Sequence, residues 1–330
     1  DGNIVELERL PPHVARRTLG VRLAPDGNNA DEVKHLRGVA EKWKDHIRTG
    51  HLQRHEAWYA LTATVMKTIE YPLLSLTLTD RECTYIMAPI LMSGLPACGI
   101  CRNFPRDVIY APNKFQGIGL KNIYITMGLV RINAIVSEGH ADSITGSLIR
   151  TSIEATKLEL GLATSVFESD FKKFGKLATE CWITHSWKFM NEFKIVTLEG
   201  TTPLSLRRVG DKFIIDYFHR HGFTGKQLVR LNRCRLFLQV NTLADISTAD
   251  GKLITLEAWH GIFDTTRPTY YNWPNQGDPA QKDWDLWRRA LAISFCGGQE
   301  RRLATYMGSW LDNQIDKWKW FFAPTEDRLY

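Results

Sequence analysis

Asn29-Ala30-Asp31-Glu32-Val33-Lys34-His35-Leu36-Arg37-Gly38-Val39-Ala40-Glu41-Lys42-Trp43-Lys44-Asp45-His46-Ile47-Arg48 carries two patterns at once. Val33, Leu36, Ala40, Trp43 and Ile47 recur at steps of three and four, the period of an amphipathic helix entered through Asn29 and Asp31. On another side of the same helix Lys34, Arg37, Lys44 and Arg48 form a basic stripe diluted by Glu41. One face is built to meet a core and the other to meet water or an anion.

Upstream, Ile4-Val5-Glu6-Leu7, a Pro11-Pro12 break and a strand Thr18–Leu23 stopped by Pro25-Asp26-Gly27 predict a hairpin-like piece. Downstream, helical periodicity runs from Arg54 to Ile69, halts at Tyr71-Pro72, and resumes from Asp80 to about Leu91 with Thr79 as N-cap. Residues Gly94 to Leu120 read as loop, punctuated by Pro96, Gly99, Pro105, Pro112, Gly117 and Gly119. Helices are then expected over Tyr124–Val136, Asp142–Leu160, Phe167–Phe193, Ser205–Arg220 and Gly225–Val240. Thr255–Trp259 reads as a strand, Tyr270–Pro279 as a loop, and further helices are expected to about Trp320. The fold class is therefore mainly α: a short β hairpin over residues 1–28, a helical bundle over 29–139, and a mostly helical domain with minor β over 140–330.

With 44% hydrophobic residues and 330 positions, the chain can bury a core in each of two domains, which excludes a disordered or disulfide-stapled protein. Six scattered cysteines fit a reducing, intracellular compartment, and the opening Asp1-Gly2-Asn3 shows no secretory leader. The longest uncharged stretch, Thr84–Cys101, approaches membrane-spanning length, but Pro89, Gly94, Pro96 and Gly99 interrupt it, so it reads as core and loop and no membrane partner is expected. The net charge of +6 is compatible with a polyanionic partner without requiring one.

Self-contained catalytic motifs are not found in the sequence. Gly117-Ile118-Gly119 has Asn122 where a dinucleotide fingerprint needs its third glycine, and His51, His55 and Glu56 miss the spacing of a zinc protease. Cys98 and Cys101 form a CxxC with no second pair, and Cys181 and His185 lie far along the chain, so buried thiols are the simpler account. The carboxylate pairs Glu168/Asp170 and Asp283/Asp285 read as helix-start residues complementing the dipole. No metal site is expected in this chain.

Cations interleaved with rings are what a nucleic-acid surface needs, to neutralise phosphates and to stack. Besides the stripe, Arg102, Arg106, Lys114 and Lys121 alternate with Phe104, Tyr110 and Phe115, and Lys226, Arg230 and Arg233 follow helical steps with Arg235 nearby.

Several strings, in order, resemble reverse transcriptases of non-LTR retrotransposons. Arg17–Leu23 with Pro25-Asp26-Gly27 is similar to the segment that leads from the catalytic palm into the thumb. Glu56-Ala57-Trp58, Ile69-Glu70-Tyr71-Pro72-Leu73, Leu95-Pro96, Gly99–Asn103 and Gln116–Asn122 follow at matching spacing over Arg16–Val136. Leu231-Asn232-Arg233-Cys234-Arg235-Leu236, Asp245-Ile246 and Trp273–Gly277 resemble the C-terminal extension of such proteins. Gln116 and Ile118 depart from the usual glycine and leucine, and the sequence holds neither a Cys-Cys-His-Cys knuckle nor a Tyr-x-Asp-Asp string.

The resemblance implies a thumb and extension of an RNA-directed DNA polymerase, without a complete active site. Its partners would be the RNA/DNA template–primer duplex and the fingers and palm of the same polypeptide, with Mg2+ expected only in that palm, and its location nuclear or nucleoprotein-associated. The stripe on the first helix would grip the duplex backbone, with Arg102 and Arg106 next. A free-standing nucleic-acid-binding protein derived from such an element, and a helical interaction protein, are the alternatives.

Overall fold

The structure, a computed structural model, describes residues 11–196, 205–262 and 273–311, together with the strand pair Phe322–Ala323 and Arg328–Leu329. It is mainly helical, as the periodicity predicts. No helix among the described residues is long and apolar enough to cross a membrane. Two compact units divide the chain, Asp1–Ser143 and Ile144–Tyr330.

The first unit opens with strands β1 (Arg16–Thr18) and β2 (Val21–Leu23), paired antiparallel so that Arg17 faces Arg22. The expected single strand from Thr18 is thus folded in two, because Leu19 and Gly20 both take positive φ and turn the chain. The predicted strand at Ile4–Leu7 lies outside the described residues. Helix α1 (Ala30–Thr49) follows, and Leu36, Ala40 and Ile47 bury its apolar face. Next come α2 (Arg54–Ala60) and α3 (Met66–Glu70), joined by a π-helical turn over Leu61–Val65, and a 3-10 turn over Tyr71–Ser75.

Helix α4 (Asp80–Pro89) begins at a reciprocal cap, in which Thr79 Oγ1 accepts from the Glu82 amide and the Glu82 carboxylate accepts from the Thr79 amide. Contrary to the sequence reading, Pro89 and Gly94 do not end it. The backbone passes through a π-helical turn, Ile90–Gly94, into α5 (Leu95–Ala97), and a π turn relaxes the i→i+4 register that proline disrupts. Helical structure stops only where Gly99, at φ +80°, donates to Pro96 O while the Ile100 amide donates to Leu95 O. The supposed loop to Leu120 also holds a short helix, α6 (Arg106–Tyr110). Helix α7 (Ile123–Glu138), capped by Asn122, closes the unit. The core gathers Leu36, Leu61, Val65, Ile69, Ile86 and Met127, each about 1.5–3 kcal/mol of apolar burial.

The second unit contains α8 (Ile144–Leu160), α9 (Phe171–Phe174), α10 (Trp182–Phe193), α11 (Ile214–Arg220), α12 (Gly225–Leu238), α13 (Leu256–His260) and α14 (Gln281–Phe295). The single helix expected over Phe167–Phe193 is broken, since Asp170 caps a fresh start at α9 and Thr184 Oγ1 takes the Cys181 amide to start α10. Residues 205–213 are not helical, because the Asp211 carboxylate takes the amides of Arg207, Lys212 and Ala244 and fixes a turn. The expected strand at Thr255–Trp259 is helix α13 instead: Thr255 Oγ1 accepts from the Ala258 amide and Gly261, at φ +74°, ends it. After α14 the chain leaves helix at Gly297 and Gly298, both at positive φ, so residues 296–311 are irregular where helix was expected.

Helix α12 is the hub of this unit. Arg235, fully buried, donates to Asn232 Oδ1 (2.7 Å), Val240 O (3.1 Å), Asn241 Oδ1 (2.5 Å), Leu158 O (2.6 Å) and Glu159 O (2.7 Å). It thereby satisfies carbonyls at the C-terminal ends of both α8 and α12. Asn232 Nδ2 adds bonds to Glu159 O and Leu177 O. Every acceptor on the guanidinium is neutral, and burial pushes the Arg235 pKa down to about 9.

Candidate nucleic-acid interface

The inner face of α1 packs on α4 and the Ile90–Gly94 turn, which fixes the direction of its outer face. On that face Lys34 and Arg48 are exposed and Lys44 is half-buried, and none of the three meets a carboxylate among the described residues. From Lys34 to Arg48 the helix rises about 21 Å, enough to follow several phosphates of a duplex strand.

Arg37 sits between them and is engaged differently. Its Nε donates to Glu41 at 2.8 Å, its guanidinium lies 4.4 Å from the Tyr85 ring centroid, and its Nη1 donates to Tyr85 O. Tyr85 stands four residues before Pro89, whose missing N–H leaves that carbonyl without its helical donor. Arg37 supplies the bond the proline removes.

The hairpin brings more charge to the start of α1. Glu32, almost fully buried, accepts from the Arg22 amide at 2.8 Å and lies 3.7 Å from Arg22 Nη1. Burial first, and then the charges of Arg22 and Arg17, lower the pKa of His35, against the pull of Glu32. Sequence reading does not group Arg17 and Arg22 with the stripe, because a three-residue strand offers no period long enough to register.

The loop cations are exposed but differ in their attachments. Arg106 Nη2 donates to Arg102 O at 3.0 Å, Lys114 lies over Phe115 at 4.8 Å, and Lys121 bonds Glu70 at 2.9 Å, which raises its pKa. Phe104 and Phe115 are exposed while Tyr110 is half-buried. The loop folds back on α6 through Ile118 N–H to Val108 O and Leu120 N–H to Ile109 O. A Cβ on Gly117 would stand 2.0 Å from Ala111 O, so the Gly-Ile-Gly string closes this turn.

On α12 the arrangement is different again. Arg230 Nε donates to Asp283 Oδ1 at 2.5 Å and Arg233 Nη1 lies 3.5 Å from Oδ2, so both turn to a carboxylate that is 1% exposed. Burial works to raise the Asp283 pKa, but the hydrogen bonds from Arg230 and the Ala280 amide, with the charges of both arginines, outweigh it and hold the carboxyl below its usual range. Lys226 stays exposed at the start of the helix. Asp283 is thus more than a helix-start residue; Asp170 does cap α9, accepting from the Lys172 amide.

Other residues with chemical potential are dispersed. Cys101 and Cys181 are exposed, Cys98 is half-buried, all six cysteines are free, and His51 and His55 face solvent. Among the described residues no group of three or more His, Cys, Asp or Glu is arranged to hold a metal ion. No family model, no curated protein and no solved structure matches this chain.

Proposed function

We propose that this chain is the C-terminal portion of an RNA-directed DNA polymerase of the non-LTR retroelement type, in which α1 grips the backbone of the template–primer duplex. The observation that supports it is the outer face of α1, where Lys34, Lys44 and Arg48 project from one helix and meet no carboxylate among the described residues. A helix surface of this kind suits phosphates, which position a duplex without reading its sequence. The chain contributes grip; nucleotide addition in the family uses palm aspartates, and no Tyr-x-Asp-Asp string occurs in this sequence.

The test is RNA–DNA duplex binding by the full chain across a salt series, compared with Lys34→Ala/Lys44→Ala/Arg48→Ala. The parent is expected to bind with a log–log salt slope that falls by about 1 for each lost cation. An unchanged slope and affinity would refute the proposal.

A further inference from the structure

In the second unit, residues 206–209 and 308–311 run antiparallel, with Arg208 opposite Trp310. The bonds Val209 N–H to Ser309 O, Gly308 N–H to Val209 O and Leu311 N–H to Arg207 O hold them together. Farther back, Leu303 N–H donates to Lys252 O and Met307 N–H to Gly251 O, while the side chains of Leu303 and Met307 are buried. Gly251, at φ +69°, lets this strand approach, since a Cβ there would stand 2.8 Å from Met307 O and 2.9 Å from Arg208 Nη2. The segment is fixed to the core through its backbone and two anchors, yet it presents Trp310 at 60% exposure and Tyr306 at 45%.

Each ring is backed by an arginine. Arg208, only 5% exposed, donates to Gly308 O (3.0 Å) and Thr248 O (3.2 Å) and lies 4.8 Å from the Trp310 ring centroid. Its burial places it on the protein side of the indole, so the outer face of the ring is the exposed one. Arg302 donates from Nε (3.0 Å) and Nη2 (2.6 Å) to the Tyr306 hydroxyl. Among the described residues neither guanidinium meets a carboxylate within ion-pair distance. Two exposed rings, one held from behind by Arg208 and the other beside the exposed guanidinium of Arg302, complement a ligand that is both flat and anionic.

We infer that Trp310 and Tyr306, backed by Arg208 and Arg302, form a stacking platform for unpaired nucleotides of a single-stranded nucleic acid. Bases stack on the rings whatever their identity, the exposed Arg302 answers a phosphate, and the buried Arg208 holds the indole from behind. An apolar protein partner would leave the exposed Arg302 charge unanswered, and a duplex keeps its bases stacked on each other and unavailable. This inference rests on the reading of the chain as a nucleic-acid-binding protein, but it concerns a different surface and a different form of nucleic acid.

The experiment measures fluorescence anisotropy of a labelled oligouridylate 12-mer and of a blunt RNA–DNA duplex with the full chain, its Trp310→Leu and Tyr306→Leu variants, and the α1 triple variant. Leucine at position 310 keeps an apolar cover over Arg208, and Trp310→Phe retains a ring in the same place. Each leucine variant is expected to weaken the single strand about tenfold while leaving the duplex within twofold, with Trp310→Phe recovering most of the loss. The α1 triple variant should show the opposite selectivity. Duplex binding with no single-strand binding, or single-strand binding that Trp310→Leu leaves unchanged, overturns this inference alone; a parent chain that binds neither overturns the proposed function as well. Equal loss on both ligands in the leucine variants also overturns it, since a separate platform requires selective loss.

Discussion

Replacing Arg235 by lysine tests the hub of the second unit and separates two arginines that lie two residues apart. The fully buried guanidinium delivers five N–H groups to five acceptors between α8 and α12. Lysine brings three donors from a single point and cannot span the same fan. Glu159 O keeps its bond from Asn232, so at least one of the other four acceptors is left unpaired. At about 1–3 kcal/mol for an enclosed acceptor left without a donor, Arg235→Lys should destabilise the protein by about 2 kcal/mol. The measurement is urea denaturation followed by far-ultraviolet circular dichroism, with the m-value checked for constancy. Arg233→Lys is the control: it is about a third exposed and its Nη1 is 3.5 Å from Asp283, so its loss should stay below about 1 kcal/mol. Comparable losses for the two variants, or an Arg235→Lys loss below about 1 kcal/mol, would show that the five bonds do not hold the unit together.

Asp283→Asn should destabilise the protein by about 2 kcal/mol, below the usual figure for breaking a buried pair because both arginine partners are partly exposed. Because the folded state holds the Asp283 pKa below its ordinary value, the carboxylate contributes stability above about pH 4 that is lost as pH falls; the variant should therefore show a shallower decline of melting temperature between pH 5 and 2. Arg37→Met should cost about 1.5 kcal/mol in the parent and about 1 kcal/mol less in a Pro89→Ala background, where the alanine amide can serve Tyr85 O; equal costs in a double-mutant cycle would break the link between the two residues. Burial and the charges of Arg22 and Arg17 hold the folded-state pKa of His35 below that of a free imidazole, so its contribution to stability is complete above the ordinary histidine range and declines on acidification through it. His35→Gln should flatten thermal stability between pH 7 and 5, and an unaltered profile would contradict the assignment.

Helix α1 was legible because five apolar residues keep one period without interruption, and α12 falls within the helix expected over Gly225–Val240. The failures share a cause in competing local signals. Phe167–Phe193 is apolar enough to read as one helix, but Asp170 and Thr184 each offer the backbone a cap that starts a new one. Pro89 and Gly94 read as breakers, yet burial on α1 and a π turn carry the helix past both. The basic residues were visible as patterns, whereas their engagements were not. Asp283 is 53 positions from Arg230 and Tyr85 is 48 from Arg37, and no local period reports a pairing at such range. Trp310 and Tyr306 gave no signal either, since their exposure follows from the backbone bonds that anchor Leu303 and Met307.

The bond from Arg37 to the Tyr85 carbonyl makes the basic face of α1 uneven in a way its charges alone do not reveal. Lys34, Lys44 and Arg48 are available to a phosphate at no structural expense, whereas a phosphate that takes Arg37 takes it from the helix that Pro89 left one donor short. Capture of Arg37 and integrity of α4 therefore compete. If the face engages phosphates as proposed, a ligand strong enough to win that competition would loosen the junction between α1 and α4, so the middle of this face would report tight engagement to the interior of the unit while its two ends would not.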